Sequence, residues 1–457
     1  MEPLTDAGRG LLSWLGSSQF LRMLLLGFLV LLLLIPISQI SGVIEEREAR
    51  QNEAVEDVTG KWGRDQSLTG PVLIIPYTHR WTDTDSSGKK VERTQTRRAF
   101  FLPDELDVKG KVDAEERSRG IFSVPVYKLA LELRGAFAAP DFKVLDVADA
   151  DVAWDRAELA LGISDVRAIQ ETPQLGWAGQ GRTFLPGPGS LSLADNGIHV
   201  DVAVPRGKEP IAFSFPLRLH GSRGVWLVPF ARETTVALES EWPNPSFQGN
   251  WLPVEREITD AGFKATWRIP YLGRNYPQVW TQSEVPSEAV AASSFGVRLV
   301  PAVDAHKMSE RSIKYASLFV LLTFAAIWIV EVLARLRVHP IQYLMIGGAI
   351  CLFFLLELSL SEHIGFALAY LLASVAVVAV VGGYARAVLG SAKRASVIAG
   401  IVAALYGYLY VLLTQEDYAL LVGSVGLFAT LGAVMYLTRR IDWYAATATS
   451  QPAAPQT

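Results

Sequence analysis

Six stretches of this sequence run for about 18 residues or more with hardly a charge inside them, and a chain built this way has few ways to fold. A helix rises about 1.5 Å per residue, so about 20 apolar residues cross the hydrocarbon core of a bilayer. Inside lipid, every backbone amide must find its partner within the segment itself. The first stretch extends from Met23 to Ile40, and the others lie near 313–333, 341–360, 364–385, 396–414 and 418–437. Residues 43–311, between the first and the second, hold most of the acids, bases, prolines and tryptophans. The hydrophobic fraction of 50% is therefore an average over two unlike parts, one suited to lipid and one to water.

The first stretch follows Arg9 and Arg22, as the core of a secretory signal would. Its apolar run is longer than the roughly 7–15 residues of such a core, and Ser38-Gln39-Ile40-Ser41-Gly42 offers no good small-x-small cleavage site. An uncleaved anchor is expected, with a cleaved signal as the alternative. Orientation follows from basic residues in short loops, which resist translocation. One alternating set of connections holds Arg9, Arg22, Arg335, Arg337, Arg386, Lys393, Arg394, Arg439 and Arg440. The opposite short loops, 359–363 and 414–417, hold no Lys or Arg and carry Glu362, Glu416 and Asp417. Both termini are expected in the cytoplasm and residues 43–311 in the periplasm of a bacterium, as a multi-pass inner-membrane protein. The expected parts are a cytoplasmic N-terminus with the first span (1–42), a periplasmic β-rich domain (43–311), a five-helix transmembrane bundle (312–440) and a cytoplasmic tail (441–457). The Ala/Pro/Gln/Thr composition of that tail predicts disorder.

Within 43–311 the hydrophobic period changes. Glu45-Glu46-Arg47-Glu48-Ala49-Arg50 is charged and helix-compatible, and is expected to carry the first helix into solvent. Beyond it, Phe213, Phe215, Leu217 and Leu219 alternate with polar neighbours, as do Phe263, Ala265, Trp267 and Ile269; period two marks half-buried strands. Asp195-Asn196-Gly197 and Asp260-Ala261-Gly262 precede such runs, with glycines able to take positive φ in tight turns. The predicted fold class is an α-helical membrane bundle, one N-terminal plus five C-terminal helices, with a large all-β sandwich region built as one sandwich or two. Residues 155–163 read as helix or strand, and the polar stretch Thr82 to Arg98 reads as a hairpin tip or mobile loop.

Catalytic and ligand signatures are sparse. No His-Glu-x-x-His, Gly-x-x-x-x-Gly-Lys-Ser/Thr or Gly-x-Ser-x-Gly motif occurs. Gly423-Ser424-Val425-Gly426 has the wrong spacing and lies in a span, where small residues favour close helix packing. The six histidines never cluster at metal-ligand spacing, so neither metal nor cofactor is predicted. The single cysteine, Cys351, excludes an intrachain disulfide, and a net charge of -4 with no basic face argues against nucleic acid. Nine tryptophans lie between residues 62 and 280, and they read as core and corner packing more readily than as a sugar-stacking platform. Intramembrane acids weigh more, because a charge near the bilayer centre is costly. Glu331, with Arg335 four residues on, reads as an interfacial ion pair. Glu357 follows Leu352-Phe353-Phe354-Leu355-Leu356 and precedes Ser361, Glu362 and His363. With Glu416 and Asp417 from the other loop, these residues form the candidate polar cluster. The competing reading is that Glu357 nears the interface and that the loops are acidic as a consequence of orientation.

Several strings together resemble one family. They are Gly70-Pro71-Val72-Leu73-Ile74-Ile75-Pro76-Tyr77, Trp242-Pro243-Asn244-Pro245-Ser246-Phe247, His339-Pro340-Ile341-Gln342-Tyr343, Ser359-Leu360-Ser361-Glu362-His363-Ile364-Gly365-Phe366, Glu416-Asp417-Tyr418-Ala419-Leu420-Leu421 and Thr438-Arg439-Arg440-Ile441-Asp442-Trp443-Tyr444. In order and spacing they resemble the CreD family of inner-membrane, cell-envelope integrity proteins, over nearly the whole chain. The resemblance implies one N-terminal span, a large periplasmic domain and clustered C-terminal spans. It also implies an output of the CreBC two-component system, linked to envelope integrity, colicin tolerance or β-lactam response. A non-enzymatic role is expected from the large exported domain and the absence of a catalytic constellation. It carries over no catalytic residue. One departure is Ala168, within Ser164-Asp165-Val166-Arg167-Ala168-Ile169, where the family pattern tends to have Gly. The expected partners are the lipid bilayer and periplasmic or inner-membrane proteins. The alternative function is a transporter or lipid-handling protein that uses the C-terminal bundle, although five spans without an obvious inverted repeat are few for that role.

Overall fold

The computed structural model describes residues 19–439 except 85, 87, 283–285, 302–304, 335–337 and 416–417. Its contacts divide the chain into two compact units, one within Met1–Arg50 and Val303–Thr457 and the other Gln51–Ala302. The expectation of a disordered tail over 441–457 falls outside the described residues.

The described helices are α1 (Gln19–Trp62), α2 (Ser287–Ala292), α3 (Ala305–Lys314), α4 (Ala316–Ala334), α5 (Pro340–Ile364), α6 (Phe366–Leu389), α7 (Ala392–Thr414) and α8 (Ala419–Thr438). Six of them, α1 and α4 to α8, are long and apolar enough to cross a membrane. Helix α1 does not stop at the end of its apolar run. It continues through the charged segment, where Arg50 pairs with Glu46 one turn back at 2.6 Å, and ends at Trp62.

Local chemistry sets the ends of α5. The ring of His339 accepts from the Ile341 amide, Gln342 accepts from the His339 amide at 2.9 Å, and Pro340 occupies the first turn, where no amide hydrogen is missed. Gly365 ends the helix with φ of 77°, and α6 begins at the next residue. The bundle core follows helical spacing: Ile346, Ile350, Phe353 and Phe354 of α5 share one buried cluster with Tyr370, Ala373 and Val377 of α6 and Val402, Tyr406 and Leu409 of α7, and Glu357 is buried on the same stripe of α5. The outward positions are also apolar, as Leu352, Leu368, Leu371 and Leu372 show, which suits lipid.

The other unit is built from strands β1 (Gln66–Thr84), β2 (Lys90–Phe101), β3 (Glu105–Arg119), β4 (Phe122–Phe137), β5 (Ala157–Ile163), β6 (Gln174–Trp177), β7 (Gln180–Thr183), β8 (Leu185–Pro186) and β9 (Gly197–Val202). It continues with β10 (Ile211–Ser222), β11 (Gly224–Leu227), β12 (Glu233–Ser240), β13 (Pro245–Gly249), β14 (Glu255–Thr259), β15 (Gly262–Pro270), β16 (Val279–Thr281) and β17 (Phe295–Leu299). One sheet runs β13-β17-β11-β1-β5-β9-β8, with β2 pairing β1 and β16; the second runs β14-β15-β12-β3-β4-β10-β6-β7. Leu73, Ile75, Leu159 and Leu161 of the first sheet share one core with Val108, Leu131, Leu217 and Trp267 of the second. The region is therefore a single sandwich. The other face of the first sheet is covered too: Val72, Ile74 and Phe100 pack under Phe230, Tyr276, Trp280 and Val290.

Three local expectations are resolved by this packing. Residues 157–163 form strand β5, because a position between β1 and β9 buries nearly every side chain and favours an extended run. The polar stretch 82–98 is mostly strand, since β1 and β2 stay paired from Leu73 opposite Phe101 out to Thr84 opposite Lys90. Gly262 has the positive φ expected of it, at 135°, but Gly197 does not. Gly197 is a glycine for another reason: it pairs with Gly162, and a Cβ there would sit 2.3 Å from the Leu161 carbonyl oxygen.

Candidate functional site

Glu357 lies on the inward stripe of α5 and is 1% exposed. The Ser309 hydroxyl of α3 donates to its Oε1 at 2.7 Å, and its Oε2 has no hydrogen-bond partner among the described residues. Ser309 reaches it because α3 is amphipathic: Ser309, Ser312 and Ile313 are buried on one side, while Glu310 and Lys314 pair with each other at 2.8 Å. Tyr370 of α6 is within electrostatic reach of the carboxyl, and its hydroxyl donates to the Tyr406 carbonyl of α7 at 2.7 Å. One turn along α5, the Phe353 ring packs against both phenols, 5.3 Å from Tyr370 and 4.4 Å from Tyr406.

The rest of the expected cluster is dispersed. Ser361 is buried, but its hydroxyl donates to the Leu358 carbonyl of its own helix at 2.8 Å. Glu362 pairs with Arg47 of α1 at 3.6 Å, and only 7% of its side chain is exposed. His363 is exposed. Glu416 and Asp417 lie outside the described residues, and so does Arg335, the expected partner of Glu331. Glu331 accepts a hydrogen bond from the Tyr343 hydroxyl at 2.9 Å.

The structure thus brings Glu357 to Ser309 and Glu362 to Arg47. Neither Ser309 nor Arg47 is singled out by the sequence, because each meets its partner across a long interval of chain. The one available signal was the spacing of Ser309, Ser312 and Ile313 on a single helical face. Gly423-Ser424-Val425-Gly426 is a packing element: Tyr408 of α7 donates to the Val422 carbonyl, and a Cβ on Gly426 would overlap its phenol.

In the sandwich, the tryptophans are mainly structural. Trp267 and Trp280 are fully buried, and the indole of Trp242 donates to the Val300 carbonyl at 2.9 Å. Trp62 stacks on His220 at 3.8 Å and lies 3.5 Å from the Arg117 guanidinium, seating residues 51–62 of α1 against the second sheet. Burial, reinforced by Lys128 and Arg117, holds the His220 imidazole below its ordinary pKa. The outer face of this sheet forms an open trough of about 560 Å³ over Ala130, Pro216 and Ala237. Across it Lys109 stands opposite Glu132, and Glu239 opposite Lys264 and Lys111, a checkerboard suited to solvent. Among the described residues, no three His, Cys, Asp or Glu side chains gather as a metal site.

Comparison with known proteins places this geometry in context. The family model described as inner membrane protein CreD matches residues 18–444. The chain is 33% identical over 435 residues to inner membrane protein CreD of Escherichia coli (strain K12), covering 94% of this chain and 95% of that protein. Among solved structures, the M1 zinc metallopeptidase from Deinococcus radiodurans aligns with 8% identity and a TM-score of 0.21, over 47% of this chain and 53% of that one. A protease described as putative, from Parabacteroides distasonis, aligns with 10% identity and a TM-score of 0.22, over 57% and 59%. Likeness at that level carries no argument about this chain. The six apolar helices, the two-sheet region between the first and the rest, and the near full-length match agree: the chain belongs to the CreD family of inner membrane proteins.

Proposed function

We propose that this chain is a non-enzymatic inner-membrane protein that supports cell-envelope integrity, with the sandwich in the periplasm contacting protein partners there. The observation that carries this reading is the near full-length kinship to inner membrane protein CreD, in a chain whose largest water-suited unit is held by apolar helices on both sides of it in sequence. The finer part of the proposal follows the family resemblance: the protein acts as an output of the CreBC two-component system, with consequences for colicin tolerance or β-lactam response. Its chemistry is adhesive rather than catalytic. Large sheets with charged outer faces and a well-filled core offer recognition surfaces, and the buried side chains of the sandwich are chiefly apolar and aromatic.

A second reading is favoured by one observation, the buried carboxyl of Glu357. In it the C-terminal bundle is a conduit for a solute or lipid, with Glu357 in its path.

Separating the parts distinguishes the two. Residues 1–302, the sandwich tethered by α1 alone, are expected to restore the envelope phenotype of a strain lacking the protein when membrane levels match those of the full chain. If only the full chain restores it, the sandwich-centred role fails and the conduit reading gains.

A further inference from the structure

The helical unit contains polar atoms that its own packing leaves without partners, and they come from different helices. Ser312 Oγ of α3, Glu357 Oε2 of α5 and Tyr406 OH of α7 are all buried, at 0, 1 and 2% exposure, and none has a hydrogen-bond partner among the described residues. Ser312 is one turn from Ser309 and so shares the face of α3 that meets Glu357.

Glu357 is the member that matters energetically. Ionised, a carboxylate in this position has exchanged its hydration shell for one hydroxyl donor, an arrangement that stands only with a compensating positive charge. Among the described residues no such charge pairs with it. Arg47 goes to Glu362 and Lys314 goes to Glu310, while the side chain that bonds Glu357 is the Ser309 hydroxyl. The titratable group within electrostatic reach of it from α6 is the Tyr370 phenol, and Tyr406 and Tyr410 of α7 stand against Tyr370; none of the three brings a positive charge. The surrounding donors are oxygens, which suit hard cations and not thiophilic metals.

We propose that Glu357, with Ser309 as its fixed hydroxyl partner and Ser312 beside it, is an intramembrane binding site for one exchangeable monovalent cation, the proton or an alkali ion. Binding a proton converts the carboxylate to a neutral acid on Oε2; binding an alkali ion leaves a neutral pair. In either form the buried charge is cancelled. The site is independent of the periplasmic role proposed for the sandwich, and it gives the bundle a chemistry of its own.

The test is infrared spectroscopy of the full chain reconstituted in lipid bilayers. Difference spectra between acidic and alkaline buffers are recorded for wild type and Glu357→Gln in choline, sodium and potassium salts. Wild type is expected to gain a protonated-carboxyl C=O band on acidification that Glu357→Gln lacks. A sodium- or potassium-dependent displacement of its midpoint to lower pH identifies the alkali ion as a ligand, and a midpoint indifferent to salt identifies the proton alone. Identical difference spectra in the two proteins would overturn the proposal, because Glu357 would then never exchange. Should the Gln variant fail to insert, labelling of wild type with dicyclohexylcarbodiimide replaces it. That reagent adds to protonated carboxyls in apolar surroundings, and peptide mapping is expected to find it on Glu357, less at alkaline pH. Labelling elsewhere in the bundle with Glu357 unmodified sinks the proposal.

Discussion

His220 is an ordinary histidine in sequence, one of six, and its behaviour is decided by what stands against it. Its ring lies nearly parallel to the Trp62 indole, and its backbone carbonyl accepts from Gln66 at 2.9 Å. Burial first, then the positive charges of Lys128 and Arg117, disfavour the imidazolium and depress the folded-state pKa below its ordinary value near 6.5. The linkage has a definite sign. A folded pKa below the unfolded one means that the unfolded chain binds the extra proton first, so stability is fully present above the unfolded pKa and is lost as pH falls through the folded one. Acidification from pH ~7.5 to pH ~5.5 is therefore expected to lower the urea midpoint of the sandwich, read from its β-sheet circular dichroism. His220→Asn is expected to flatten that dependence. An equal acid sensitivity in both proteins would show that other groups control it.

At the scale of elements, the sandwich depends on glycines placed where two backbones approach closely. A Cβ on Gly296 of β17 would lie 1.9 Å from the Val225 carbonyl oxygen of β11, and one on Gly135 of β4 would lie 2.1 Å from the Glu105 carbonyl oxygen of β3. Backbone atoms within a ladder cannot step aside as a flexible side chain does. Gly296→Ala is therefore expected to cost more than about 2 kcal/mol and to loosen the β11-β17-β13 edge, whereas Gly181→Ala in β7, with nothing near it, is expected to change little. Comparing the two urea midpoints checks this; equal midpoints would refute the close-approach argument. The elements themselves were largely legible. Alternation at Phe213–Leu219 and Phe263–Ile269 marked β10 and β15, because one face of each is buried and the other wet. Alternation fails at β5, buried on both faces, and so the same rule left residues 155–163 ambiguous.

For the whole molecule, the charge asymmetry of the short loops supplies the expected direction across the membrane. Alkaline phosphatase fused after residue 200 is expected to be active and after residue 390 inactive, because the enzyme matures only outside the cytoplasm; the reverse pattern would invert the proposed orientation. The path of α1 belongs to this scale as well. Its sequence divides into an apolar run and a charged run, yet both lie in one continuous helix to Trp62, with Lys61 bonded to Asp57 near its end.

The sequence by itself determined the spans, the two-part character of the chain and the β nature of the larger part. Each of these is a property of contiguous residues: enough apolar length for a bilayer, a period of two for a half-buried strand, a turn residue at the boundary. Tertiary structure alone decided that two sheets share one core, that Ser361 spends its hydroxyl on its own helix, and that Glu362 belongs to Arg47. It alone brought Ser309 to Glu357. A contact between residues 48 positions apart leaves no periodic trace in sequence, since it depends on which faces of two helices meet. The family was legible from short strings because order and spacing persist along a chain, whereas the pairing of a buried carboxyl exists only once the bundle has closed around it.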